Sequence, residues 1–132
     1  MSEESHPVSE FKSKSGITRV FSALLYSMDG LRTAWRYEHA FRQELMVVVP
    51  GVVVALLIPV TTLERVVLIA VLLLVLIVEL LNSAIEAVVD RVSLERNPLS
   101  KNAKDLGSAA VMISMLLAAV TWSLITLPLL RK

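Results

Sequence analysis

The chain has 132 residues, enough for one domain. Hydrophobic residues make up 55% and the mean hydropathy is +0.69; soluble domains sit near about 45–50% apolar, so the balance leans towards a membrane protein. A net charge of +1 predicts no nucleic-acid partner, and the absence of cysteine excludes disulfides, zinc–thiolate sites and cysteine nucleophiles.

Residues 1–15 are rich in Ser, Glu and Lys and are expected to be a disordered polar tail. They carry no apolar core of the signal-peptide kind, so no cleaved leader is expected. The remainder, residues 16–132, reads as one domain. From Ile17 the apolar residues Val20, Phe21, Leu24, Leu25, Met28 and Leu31 recur at spacings of three and four, with Arg19, Ser22, Ser27 and Asp29 between them. This predicts an amphipathic helix over about 17–40, lying in a membrane interface, with an interruption at Gly30. Trp35 and Tyr37 fit an interfacial aromatic belt.

Three apolar runs follow: 45–60, which contains Pro50, Gly51 and Pro59; 66–78, continued by a helical pattern through Asp90; and 106–130. A spanning helix needs roughly 20 residues, so the first run qualifies only by borrowing Phe41–Glu44 or where the bilayer thins slightly. The expected spans are about 42–60, 63–91 and 104–128, and the fold class is an all-α membrane protein with a surface helix and three transmembrane helices. Lys12, Lys14, Arg19, Arg32, Arg36 and Arg42 precede the first span, and Arg91, Arg96, Lys101 and Lys104 separate the second from the third. Arg65, Arg131 and Lys132 are the basic residues of the other side. The positive-inside rule therefore places the N-terminus in the cytoplasm.

The second span carries the chemistry. Glu79, Glu86 and Asp90 fall within roughly 20° of one line on a helix, with Asn82 and Ser83 flanking it. At about 1.5 Å per residue from Arg65, Glu79 lies roughly 20 Å across and Glu86 roughly 30 Å across, at the far boundary of the hydrocarbon. Asp90 then stands among the headgroups and is assigned only a pairing near the helix end. Glu79 and Glu86 are about 10 Å apart, too far to hold one small metal ion together. Polar residues in membrane helices can serve helix association alone. A deep carboxylate in line with a shallow one points instead to function. Glu79 suits a general base or acid. Glu38, at the same level as Glu86, could complete a magnesium site with it, since Mg²⁺ takes one or two carboxylates plus phosphate oxygens. Lys104-Asp105 could supply a phosphate-contacting cation next to an acid. No P-loop, GxGxxG or protein-kinase signature is present.

The string VELLNSAIEAVVDRV, with AKDLGSAAV after a short loop, resembles the prokaryotic diacylglycerol kinase family. So do Thr18-Arg19, Tyr26-Ser27, Gly30-Leu31-Arg32, Glu38 and Ala40-Phe41-Arg42-Gln43-Glu44, and the resemblance covers about residues 16–127. It implies a homotrimeric inner-membrane enzyme that transfers the γ-phosphate of Mg²⁺-ATP to diacylglycerol. Glu79 would be the base, Glu38 and Glu86 the magnesium carboxylates, and Asn82 their support. Arg19, Tyr26, Glu38, Glu86, Glu95, Arg96, Asn97, Lys104 and Asp105 would contact nucleotide. The lipid would meet Arg19, Ala23, Leu24, Leu25, Tyr26, Ser27, Met28, Ala40, Phe41, Arg42, Gln43, Glu44, Glu79 and Ser108. Met28 and Asp29 stand where relatives often carry Trp and Lys. Within the family the alternative is an undecaprenol kinase; Ser83 and Gly107-Ser108-Ala109-Ala110 look closer to the diacylglycerol branch. Outside it stand a proton-coupled transporter, which would not need the shallow acidic cluster, and a non-catalytic assembly subunit.

Overall fold

The computed structural model describes residues 16–92 and 94–131; the polar tail expected over residues 1–15 lies outside the described residues. The elements are α1 (Gly16–Tyr37), α2 (His39–Leu57), α3 (Thr62–Val92) and α4 (Pro98–Thr126), closed by a 3-10 turn over Leu127–Arg131. No strand occurs among the described residues. Helices α2, α3 and α4 are each long and apolar enough to cross a membrane. The protein is an all-α membrane protein, as the sequence predicts.

Helix α1 holds its apolar side chains in the open. Ile17, Val20, Phe21, Leu24 and Leu25 are all more than half exposed, and Ala34, near the C-terminal end, is buried. An amphipathic helix whose apolar face finds no cover in its own chain suits the membrane interface. The expected break at Gly30 does not occur: α1 runs through it. An internal glycine costs a helix only about 1 kcal/mol against alanine, and the good helix formers around it, Met28, Leu31, Arg32 and Ala34, outweigh that. The helix stops instead at Tyr37, and Glu38 takes extended backbone with φ −96° and ψ 109°. Arg42 secures this corner: its Nη1 donates to the carbonyls of Trp35 (2.9 Å) and Arg36 (3.3 Å), two of the acceptors a helix end leaves open.

Helix α2 begins at His39, so the first span does borrow Phe41–Glu44 to reach membrane length. It ends at Leu57, with Ile58 extended (φ −73°, ψ 149°), because the residue before Pro59 is pushed away from helical backbone. Arg65 closes the turn from α3: Nε donates to the Ala55 carbonyl (3.0 Å) and Nη2 to that of Ile58 (3.2 Å). Thr61 and Glu64 form a reciprocal capping box at the start of α3. Glu64 Oε2 accepts from the Thr61 N–H (2.8 Å) and hydroxyl (2.7 Å), and Thr61 Oγ1 accepts from the Glu64 N–H (3.3 Å). Asn97 caps α4, its side chain accepting from the Leu99 N–H at 2.8 Å, with Pro98 in the first turn.

Small residues set how closely the helices pack. A Cβ on Gly51 would lie 2.7 Å from Leu72 Cδ1, so the glycine gives that side chain room between α2 and α3. Val71, Val75 and Ala118 form the core between α3 and α4, with Trp122 packed against them. The Trp122 indole N–H donates to the Leu68 carbonyl at 3.2 Å, tying the two helices. Trp122→Phe keeps most of the packing and loses this bond. It should cost about 0.6–1.7 kcal/mol, the range for interhelical hydrogen bonds in membranes, measured as a lower unfolding midpoint in detergent. The outer faces are apolar: Val66, Ile77, Leu81, Leu116 and Leu124 are each more than half exposed, as lipid-facing side chains should be.

Candidate functional site

One face of α3 carries the polar residues, and their exposure rises steadily along it. Glu79 is 4% exposed and Asn82 9%; Glu86 is half-buried and Asp90 is exposed. One turn separates Asn82 from Glu86, and the Asn82 amide Nδ2 donates to Glu86 Oε1 at 3.1 Å. Asn82 therefore orients the shallower carboxylate. Its own Oδ1 is buried and has no hydrogen-bond partner among the described residues.

Two other helices complete the face. Helix α4 crosses Asn82 at Gly107, where a Cβ would sit 2.2 Å from Asn82 Oδ1. Gly107 is a site residue that motif spacing does not single out; the run of small residues 107–110 is its only signal in the sequence. Helix α2 delivers Glu44, which is 7% exposed, with both carboxylate oxygens buried and without a partner among the described residues. The charge of Glu79 acts on Glu44, and the charges of Glu86 and Glu38 act on Glu79. Carboxyl groups of α2, α3 and the corner before α2 thus lie within electrostatic range of Glu79. The sequence places Glu44 only in the lipid groove; its nearness to Glu79 comes from α2–α3 packing.

The remaining expected site residues fall into four groups. Glu95, Arg96, Asn97, Lys104 and Asp105 gather round one pocket of about 690 Å³, together with Asp90 and Lys101. Within it Lys104 Nζ meets Asp90 Oδ1 at 2.7 Å, and Lys101 pairs with Asp105. Asn97 is occupied in capping α4. Ala40, Gln43 and Glu44 line an apolar groove of about 480 Å³ with Gly51, Val75 and Trp122. Met28, Phe41 and Arg42 line another, of about 830 Å³, with Trp35 and Leu80. The segment 40–44 therefore divides two apolar channels, one on each side of α2. Arg19 and the stretch from Ala23 to Ser27 lie along exposed α1, and Ser108 is exposed on α4. The Ser27 hydroxyl donates within its own helix to the Ala23 carbonyl at 2.9 Å.

No group of three or more metal-ligating side chains occurs among the described residues. A resident, fully protein-held ion would need more donors than that. Hard carboxylates such as Glu38 and Glu86 are of the donor type that magnesium takes when most of its other ligands are phosphate and water oxygens.

The sequence profile of the family described as prokaryotic diacylglycerol kinase matches residues 25–126. The chain belongs to the prokaryotic diacylglycerol kinase family. It is 55% identical over 119 residues to the Diacylglycerol kinase of Pseudomonas aeruginosa, covering 90% of this chain and 97% of the relative. The Diacylglycerol kinase of Escherichia coli K12 is 51% identical over 111 residues, 84% of this chain and 91% of the relative. That of Helicobacter pylori is 41% identical over 117 residues, 89% and 91% respectively. As a member of the diacylglycerol kinase family the chain is an enzyme, a lipid kinase. The matched stretch takes in the α3 polar face, the loop pocket and Gly107, and starts beyond Arg19, Ala23 and Leu24.

Proposed function

We propose that the protein phosphorylates diacylglycerol with ATP at the cytoplasmic face of the bacterial inner membrane, giving phosphatidic acid. One observation carries this reading: a single helix runs from a buried carboxylate, Glu79, through a half-buried one, Glu86, to the charged loop pocket of Lys104. The apolar end suits a lipid and the charged end suits polyphosphate. The N-terminus and the loop after α3 face the cytoplasm, where ATP is found, in keeping with their basic residues.

In the reaction the lipid hydroxyl attacks the γ-phosphorus. Its proton passes to a carboxylate oxygen of Glu79, the new P–O bond forms, and the bond to the β-phosphate oxygen breaks as ADP leaves. Phosphoryl transfer depends on positioning and charge neutralisation more than on covalent catalysis. Glu38 and Glu86 would hold magnesium brought in on ATP, which supplies that neutralisation at the phosphate oxygens. Asn82 fixes Glu86 through its amide. Lys104, Arg96, Arg19 and Tyr26 would contact the nucleotide, with Glu95, Asn97 and Asp105 beside it. The segment 40–44, α1 and Ser108 would line the path of the lipid. Three thin helices leave the apolar face of α1 and the outer faces of α3 and α4 uncovered within one chain. We take the working unit to be a homotrimer, in which part of this surface meets the other chains and the rest faces lipid.

The acceptor is tested by offering diacylglycerol and undecaprenol together in mixed micelles with radiolabelled ATP and magnesium. Phosphatidic acid should be the labelled product. Undecaprenyl phosphate as the main product would move the protein to the polyprenol branch. Glu86→Gln should raise the magnesium concentration needed for half-maximal rate by about tenfold or more, the scale on which losing a metal-site interaction acts. An unchanged magnesium dependence would count against its role as a ligand.

A further inference from the structure

Asp90 has no part in the chemistry above, yet it makes the one ion pair between α3 and α4 recorded among the described residues, to Lys104 at 2.7 Å. Both side chains are about half exposed, 39% for Lys104 and 48% for Asp90. An ion pair that open adds little to stability, so its worth to the fold is small. Its worth to the site is positional. Lysine is a point charge on a flexible four-carbon stem, and its head goes where its counter-ions hold it. The neighbouring acid on its own helix, Asp105, is already paired with Lys101. Glu86, one turn below Asp90, also acts on Lys104. Were Glu86 to hold magnesium, that pull would weaken and Asp90 would remain as the anion paired with the ammonium beside the loop pocket.

We infer that Asp90 is a positioning residue for ATP binding, holding Lys104 where it meets the nucleotide phosphates. The inference rests on the assignment of Lys104 to the nucleotide. Steady-state kinetics on the full-length protein in mixed micelles, varying ATP and lipid separately, test both. Asp90→Asn should raise KM for ATP about 3- to 10-fold, the coupling expected between contacting charges, with kcat and KM for the lipid near wild type. Asp90→Glu should restore it. Combining Asp90→Asn with Lys104→Ala should be no worse than Lys104→Ala alone, and unfolding midpoints should stay at the wild-type value. If Lys104→Ala raises KM for ATP but Asp90→Asn does not, the role of Asp90 falls and that of Lys104 stands. If Lys104→Ala leaves KM for ATP unchanged, the nucleotide assignment itself falls. A lowered KM in Asp90→Asn, as from a bridge that only competes with phosphate, would overturn the inference. So would additive losses in the double variant.

Discussion

Glu79→Gln should lower lipid phosphorylation by about 10²- to 10⁴-fold, the usual contribution of a positioned general base, while ATP binding is retained. The amide matches the carboxylate in size, so the packing of a residue only 4% exposed is kept. What is lost is a group able to take a proton. Glu79 lies two turns from Glu86 and further from the loop pocket, so the nucleotide end should not register the change. Turnover and equilibrium nucleotide binding, measured on the same preparation, separate the two effects. Loss of ATP binding would move Glu79 from the chemical step to the nucleotide site.

Gly107→Ala should also lower activity, though it adds one methyl group and removes no charge. The new Cβ would fall 2.2 Å from Asn82 Oδ1 and 3.3 Å from Asn82 Cγ. Either α4 moves away from α3 or Asn82 rotates and gives up its 3.1 Å hydrogen bond to Glu86. Overpacking of this kind costs about 1–3 kcal/mol, and a site displaced by 1 Å can lose about 10²-fold in rate. The expected result is a lower unfolding midpoint in detergent together with a fall in kcat/KM of about 10- to 100-fold. Asn82→Ala in the same chain should remove the clash and recover the midpoint without recovering the activity. A Gly107→Ala protein with wild-type midpoint and rate would contradict the close approach of α4 to Asn82.

Residues on one helix are legible from spacing because the helix dictates their angles. Glu79, Glu86 and Asp90 share a line at any tertiary arrangement, and their depth follows from rise alone. The spans are legible for the same reason: a run such as 66–78 has few alternatives to crossing a bilayer. Partners on different helices are not legible, because they depend on how helices pack. Glu44 reaches Glu79, Gly107 reaches Asn82 and Lys104 reaches Asp90 only through interhelical contacts. Gly30 is the converse case: its local cost of about 1 kcal/mol in a helix is outweighed by its helix-forming neighbours. Arg42 and Arg65 illustrate a third kind of limit. In the sequence they count as charges that set topology, and in the fold they also satisfy the open carbonyls at the ends of α1 and α2.

The central claim is that the α3 polar face moves phosphate from ATP to a lipid hydroxyl, with Glu79 taking the proton. Its most direct test is the fate of the label when wild-type protein and Glu79→Gln are given the same radiolabelled ATP, magnesium and diacylglycerol micelles. Labelled phosphatidic acid is expected from the wild type and almost none from the variant. No labelled lipid from the wild type, or wild-type transfer by Glu79→Gln, would contradict it.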